Sequence, residues 1–99
     1  MKKSYLTVVA RILVKEEHRE FVKAELLSLL DVTRAEEGNI SYDLQQDNEN
    51  PNFFIFFEKW VNRELWQKHM ANEHLAHYLK VTDGMVDEFI LNEMTETVN

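Results

Sequence analysis

Glu58 is the residue that first demands a chemical explanation. It continues the Phe54, Phe56 and Trp60 side of the run Phe53-Phe54-Ile55-Phe56-Phe57-Glu58-Lys59-Trp60, and an ionised carboxylate on a buried strand is costly unless it is paired. His69, in the segment directly after that run, is a candidate partner. A carboxylate holding one ring nitrogen orients an imidazole and raises its basicity, which suits it to take a phenolic proton. A second reading stays open, in which Glu58 meets Arg11 or a backbone amide and His69 lies at the surface.

Around this pair stand residues with a dual reading. Trp60 and Trp66 could wall a flat ligand or simply fill the core. Asn39 could hydrogen-bond a ligand oxygen, although an Asn beside Gly38 is first a turn residue. Tyr42 could point its hydroxyl into the same pocket or pack in the sheet. Phe54 and Phe56 would exclude water. His74 and His77, three residues apart, have metal-binding chemistry in principle, but no inward carboxylate or third histidine joins them at a convincing spacing, so no metal is expected. Glycine-rich phosphate loops and Ser-His-Asp signatures are absent.

The elements that must position these residues follow from periodicity. Tyr5 to Val14 is rich in β-branched residues and reads as a strand. From Glu16 to Thr33 the apolar positions Phe21, Val22, Leu26, Leu29, Leu30 and Thr33 recur at helical spacing. Gly38 ends that segment, and Ile40, Tyr42 and Leu44 then alternate with polar residues as in a half-buried strand. Asp47 to Asn52 is turn chemistry, and Phe53 to Trp60 is the strongest strand. Asn62 and Asn72 are N-cap candidates for helices running to Met70 and to about Thr82, the second with Leu75, Tyr78, Leu79 and Thr82 on one face. Gly84 closes it, and Val86 to Val98 reads as a last strand with Phe89, Leu91 and Met94 available for burial. The order strand, helix, strand, strand, helices, strand is that of an α+β, ferredoxin-like split βαβ sandwich.

The chain has 99 residues, fitting a single domain over 1–99. With no cysteine it can form no disulfide, thiolate nucleophile or iron–sulfur cluster. A formal charge of −7 works against nucleic acid and anionic lipid as partners. The start, Met1-Lys2-Lys3-Ser4, does not lead into a signal peptide, because Thr7 and Arg11 break the apolar run. No stretch approaches the roughly 20 apolar residues of a membrane span, so a cytoplasmic location is expected. The strand Phe53–Trp60 is apolar on both faces, whereas a sheet with helices on one side should be wet on the other. A second copy packed sheet against sheet, a homodimer, would cover it.

The stretches Arg34-Ala35-Glu36-Glu37-Gly38-Asn39-Ile40-Ser41-Tyr42-Asp43-Leu44, Phe54 to Trp60, Trp66 to His69 and His74 to Tyr78 resemble the antibiotic biosynthesis monooxygenase domain family. The family pattern falls at Arg34, Glu37, Gly38, Tyr42, Glu58, Trp60 and His69, and the resemblance runs over nearly the whole chain. It implies a dimeric α/β barrel with a pocket in each subunit between helices and sheet. It also implies a choice of activities: cofactor-free oxidation of a phenol or hydroquinone by O2, isomerisation of a phosphorylated signalling dione, haem degradation, or none. In the first, His69 is the base, Glu58 orients it, Asn39 and Trp60 hold substrate oxygens, and Phe54, Phe56 and Trp66 keep water out, with no cofactor. Haem degradation fits less well, because relatives with that activity carry tryptophan at the place of His69 and an axial histidine where this chain has Leu79. A non-catalytic dimeric binding module is the reading from a different class.

Overall fold

In the computed structural model, which describes residues 4–98, four strands form one antiparallel sheet in the order β2-β3-β1-β4. They are β1 (Leu6–Val14), β2 (Asn39–Gln46), β3 (Phe53–Trp60) and β4 (Val86–Met94). The helices are α1 (Arg19–Arg34), α2 (Arg63–Met70) and α3 (Glu73–Val81). This is the α+β ferredoxin-like arrangement. No helix among the described residues is long and apolar enough to cross a membrane. Met1 to Lys3, on which the reading of the chain's start rests, lie outside the described residues.

The strand pleat sorts the core. Val8, Ala10, Ile12 and Val14 of β1 and Phe54, Phe56, Glu58 and Trp60 of β3 alternate onto the helix side and are buried. Val22, Leu26, Leu29 and Thr33, spaced three or four apart on α1, close over them. Phe21, expected on that stripe, is instead 47% exposed. Arg34 in the last turn of α1 fixes the helix to β2, with Nε donating to the Tyr42 carbonyl at 3.0 Å and the guanidinium meeting Asp43.

Several boundaries differ from the periodicity. The segment Glu16–His18 is a 3-10 turn before α1 begins. Lys15 is held extended because its amide donates to the Met85 carbonyl and its ammonium to that of Gly84. Ile40 is exposed, since the β2–β3 register shifts between Asn39 and Ser41 and leaves it in a bulge. β4 ends at Met94 rather than Val98, because it pairs only with β1, and Met94 is already opposite Thr7 near the start of that strand. Phe89 and Met94, expected to be available for burial, are exposed, and Leu91 is half-buried.

Asn62 caps α2 as its sequence suggests, accepting the Leu65 amide at 2.9 Å. Asn72 takes the N-cap position of α3 without a side-chain bond, its backbone amide donating to His69 O and its carbonyl accepting from Ala76. The step at Ala71 and Asn72 is therefore a break between two short helices, not a kink in one. Gly38 lies at φ +86°, and a Cβ there would meet Leu65 Cβ of α2 at 2.7 Å. Only glycine lets the turn after α1 lie so close to α2.

The other face of the sheet carries Phe53, Ile55 and Phe57 of β3 beside Val9 and Leu13 of β1, all half-buried or exposed. Arg11 lies over the Phe53 ring at 5.6 Å and Lys59 over Phe57 at 6.0 Å, laying their stems across this face.

Candidate active site

Glu58 sits on the helix side of β3 between Tyr42 of β2 and Val8 of β1, and only 4% of it is exposed. Arg11 is on the opposite face, paired in register with Ile55, so it does not neutralise Glu58. The carboxylate instead accepts a hydrogen bond from Trp60 Nε1 at 3.0 Å. Burial pushes its pKa up to about 7; the indole bond pulls the other way and the charge of Glu36 adds to the rise.

His69 points inward from the last turn of α2 and is 2% exposed. Its expected partner was Glu58; the structure gives it Glu36 instead. Nδ1 lies 2.9 and 3.1 Å from the two Glu36 oxygens. His74 Nε2, from the first turn of α3, reaches the same Oε1 at 2.8 Å. The reason for the exchange is reach: Glu36 follows Thr33 by three residues and so continues the Val22, Leu26, Leu29, Thr33 stripe by one step, just past the end of α1 at Arg34 and toward His69 of α2. That spacing was the signal in the sequence that could have revealed it.

A carboxylate only accepts hydrogen bonds, so Nδ1 of His69 carries the proton and Nε2 has the free lone pair. Trp60 packs on the imidazole at 4.8 Å between ring centres and Tyr42 meets it edge-on at 5.7 Å. Burial lowers the His69 pKa below its ordinary value, opposed by the Glu36 hydrogen bond and charge, which keeps the ring neutral at pH 7. Burial, with the Glu58 charge behind it, raises the Tyr42 hydroxyl well above its ordinary range, so it stays a phenol.

A cavity of about 90 Å³ lies between sheet and helices, lined by Tyr42, Phe56, Glu58 and His69 and by aliphatic residues of β1, α1 and α3. Met70, Leu79 and Phe89 line it too and are exposed, forming its mouth. Leu79 thus rims the opening instead of packing with Leu75 and Tyr78. Four of the eight residues singled out from the sequence come together here. The other four are placed elsewhere. Asn39 donates to Ser41 O at 3.1 Å, as a turn residue does. Phe54 is buried in the core away from the cavity lining. Trp60 Nε1 is taken by Glu58. Trp66 is buried in α2 with its Nε1 unpartnered among the described residues, outside the cavity.

A split βαβ sandwich with an enclosed carboxyl and imidazole between its layers defines a small α+β pocket protein. Residues 5–81 match the family described as antibiotic biosynthesis monooxygenase, and the chain belongs to that family. It is 35% identical to the Bacillus subtilis protein named "Putative monooxygenase YcnE" over 74 residues, 75% of this chain and 78% of that one. The crystal structure of protein SO0527 from Shewanella oneidensis superposes with a TM-score of 0.94 at 29% identity, covering 100% of this chain and 98% of that one. That of PA3566 from Pseudomonas aeruginosa does so with 0.92 at 25%, covering 97% of each.

Proposed function

We propose that this chain is a cofactor-independent monooxygenase that oxidises a small phenol or hydroquinone with O2. One observation carries the reading: an imidazole whose Nδ1 is held by Glu36 lines the same apolar cavity as a carboxyl whose pKa is raised to about 7. Its Nε2 takes the phenolic proton, and Glu36 orients the ring and stabilises the imidazolium that forms. The electron-rich phenolate adds through ring carbon to O2, giving a carbon-bound peroxide. Protonated Glu58 supplies a proton to the outer oxygen, the O–O bond breaks, and the ring carbon loses its hydrogen as a proton. Phenol and O2 become quinone and water, with no other reductant. Tyr42 and Phe56, stacked on each other at 4.6 Å, present aromatic surface to the substrate ring. Trp60 acts through Glu58 and not on the substrate. A void of 90 Å³ is smaller than the roughly 150 Å³ cavity that accepts benzene in an engineered core, so a single ring enters by displacing Met70 and Leu79 at the mouth.

Among the described residues the lining holds no lysine or arginine, which leaves a phosphorylated dione without a counter-charge there and favours the phenol over the isomerase reading. Two copies packed through the Phe53, Ile55 and Phe57 face complete the proposed unit, a cytoplasmic homodimer.

The test is oxygen uptake with single-ring quinols by the wild type and by His69→Ala. A loss of roughly 10²-fold or more is expected from removing the base; equal rates would remove His69 from the mechanism, and anaerobic turnover would replace oxygenation by isomerisation.

A further inference from the structure

Three side chains converge at one point beside the proposed base. Glu36 Oε1 lies 2.9 Å from His69 Nδ1 and 2.8 Å from His74 Nε2, and all the ligand atoms are within 4.8 Å of one another. They come from three separate elements: the turn after α1, the end of α2 and the start of α3. The Glu36 and His74 side chains are 13% and 24% exposed, and a depression lined by Glu36, Glu37, Leu65, Lys68, His69 and Asn72 opens beside them. Water and ions therefore reach the cluster from a side other than the cavity mouth, which is rimmed by Met70, Leu79 and Phe89.

We propose that Glu36, His69 and His74 bind one borderline divalent cation, of the Zn2+ class, and that its binding silences His69 as a base. Two imidazole nitrogens and a carboxylate oxygen form the three-ligand set of open zinc sites, with the remaining position left to water. Hard ions such as Mg2+ prefer all-oxygen shells and are disfavoured by the two nitrogens. Ligands at zinc distances stand about 3.3 Å apart on a tetrahedron, so the two contacts to Glu36 must widen by roughly half an ångström and the two histidine nitrogens must close by up to roughly 1.5 Å from their separation within 4.8 Å. The Glu36 side chain, in a turn beyond the helix end, makes the first adjustment, and rotation of the part-exposed His74 ring at the start of α3 makes the second.

The silencing follows from imidazole bookkeeping. In the metal-free protein the His69 proton is on Nδ1, donated to Glu36, and Nε2 has the lone pair. A cation on Nδ1 moves that proton to Nε2, and the His74 proton moves from Nε2 to Nδ1, with no net change in charge on either ring. Nε2 then donates and can no longer accept a phenolic proton. Only the consequence for catalysis rests on the function proposed above; binding and the tautomer change stand on the cluster geometry.

Calorimetric titration of Zn2+ into the whole chain, without substrate, should give one ion per chain bound at least 100-fold more tightly than Mg2+. His74→Ala and Glu36→Gln should each weaken binding tenfold or more. His77→Ala, which alters an exposed histidine on the same helix, should not. Co2+ bound in place of Zn2+ should show intense visible bands in the wild type that His74→Ala loses, and the imidazole nitrogen NMR shifts of His69 should pass from the Nδ1–H to the Nε2–H form at saturation. Equal affinity for Mg2+, equal weakening by His77→Ala, or His69 retaining Nδ1–H at one bound ion would each overturn the proposal. Absent oxygen uptake by the metal-free protein would strike the reaction above and leave these readouts standing.

Discussion

Two glutamates lie near one imidazole and do opposite things. Glu36 sits in a turn at the edge of the helical layer, shares its oxygens between two histidines and is partly wet. Glu58 sits mid-strand among aromatic rings, accepts from the Trp60 indole and is nearly dry. The difference teaches that burial does not choose a partner. The more buried carboxyl keeps its proton to near neutral pH and the better-solvated one holds the imidazole, so in the proposed reaction environment divides two identical side chains into acid and orienter.

The sharpest way to break this division is to neutralise each glutamate in turn. Glu36→Gln should lower oxygen uptake roughly 100-fold at every pH, because the imidazolium that forms loses the carboxylate charge that stabilises it. An unchanged rate, or a loss equal to that of Glu58→Gln with the same pH profile, would erase the distinction.

Gly38→Ala attacks the turn that brings Glu36 under α2. Left-handed backbone strain and overlap with Leu65 together should cost about 3 kcal/mol in urea unfolding. A cost near zero would mean that the turn and α2 can separate freely.

Glu58→Gln tests the dry carboxyl by stability. Folding raises its pKa from 4.5 to about 7, so the folded state favours the protonated form. The penalty is absent below pH 4.5 and grows as pH rises through 7, to about 3 kcal/mol by linkage. Glutamine still accepts from Trp60 and carries no charge. The variant should therefore match the wild type near pH 4.5 and exceed its stability at pH 8, by chemical denaturation at both. A pH-independent difference would show that Glu58 is not held in the environment described.

The proposed dimer is read by Phe57→Lys, which places a charge on the open sheet face and should halve the mass measured by light scattering. An unchanged mass would move the interface elsewhere. The smallest effect is expected from Asn62→Ala, which removes the cap of the helix bearing His69 and should cost about 1 kcal/mol; a neutral result would show that packing alone sets the start of α2.

Much of the fold was legible because it depends on local patterns. The alternation of Phe54, Phe56 and Trp60, the α1 stripe and the cap at Asn62 each act within a few residues of sequence. Tyr42, Phe56, Glu58 and His69 could be read as one cavity because they lie on the helix side of adjacent strands or on the helix that follows them. The Glu36 contacts were not legible in the same way. They span 33 and 38 residues and depend on how far α1 extends over α2, which the sheet register and the tight turn at Gly38 decide together. The bulge that turns Ile40 outward and the early end of β4 are likewise properties of a neighbouring strand, not of the residues themselves.

The break at Ala71 and Asn72 has a consequence for how this chain can change length. His69 and His74 are five residues apart, and on one continuous helix they would point about 140° away from each other. The step between α2 and α3 resets that phase, so both rings face one oxygen. A single-residue insertion or deletion there would rotate His74 out of line while leaving both helices intact, whereas the Asp47–Asn52 turn can grow or shrink without touching the site. The two connectors, both largely exposed, therefore differ sharply in tolerance to insertion, and a library of one-residue insertions should separate them.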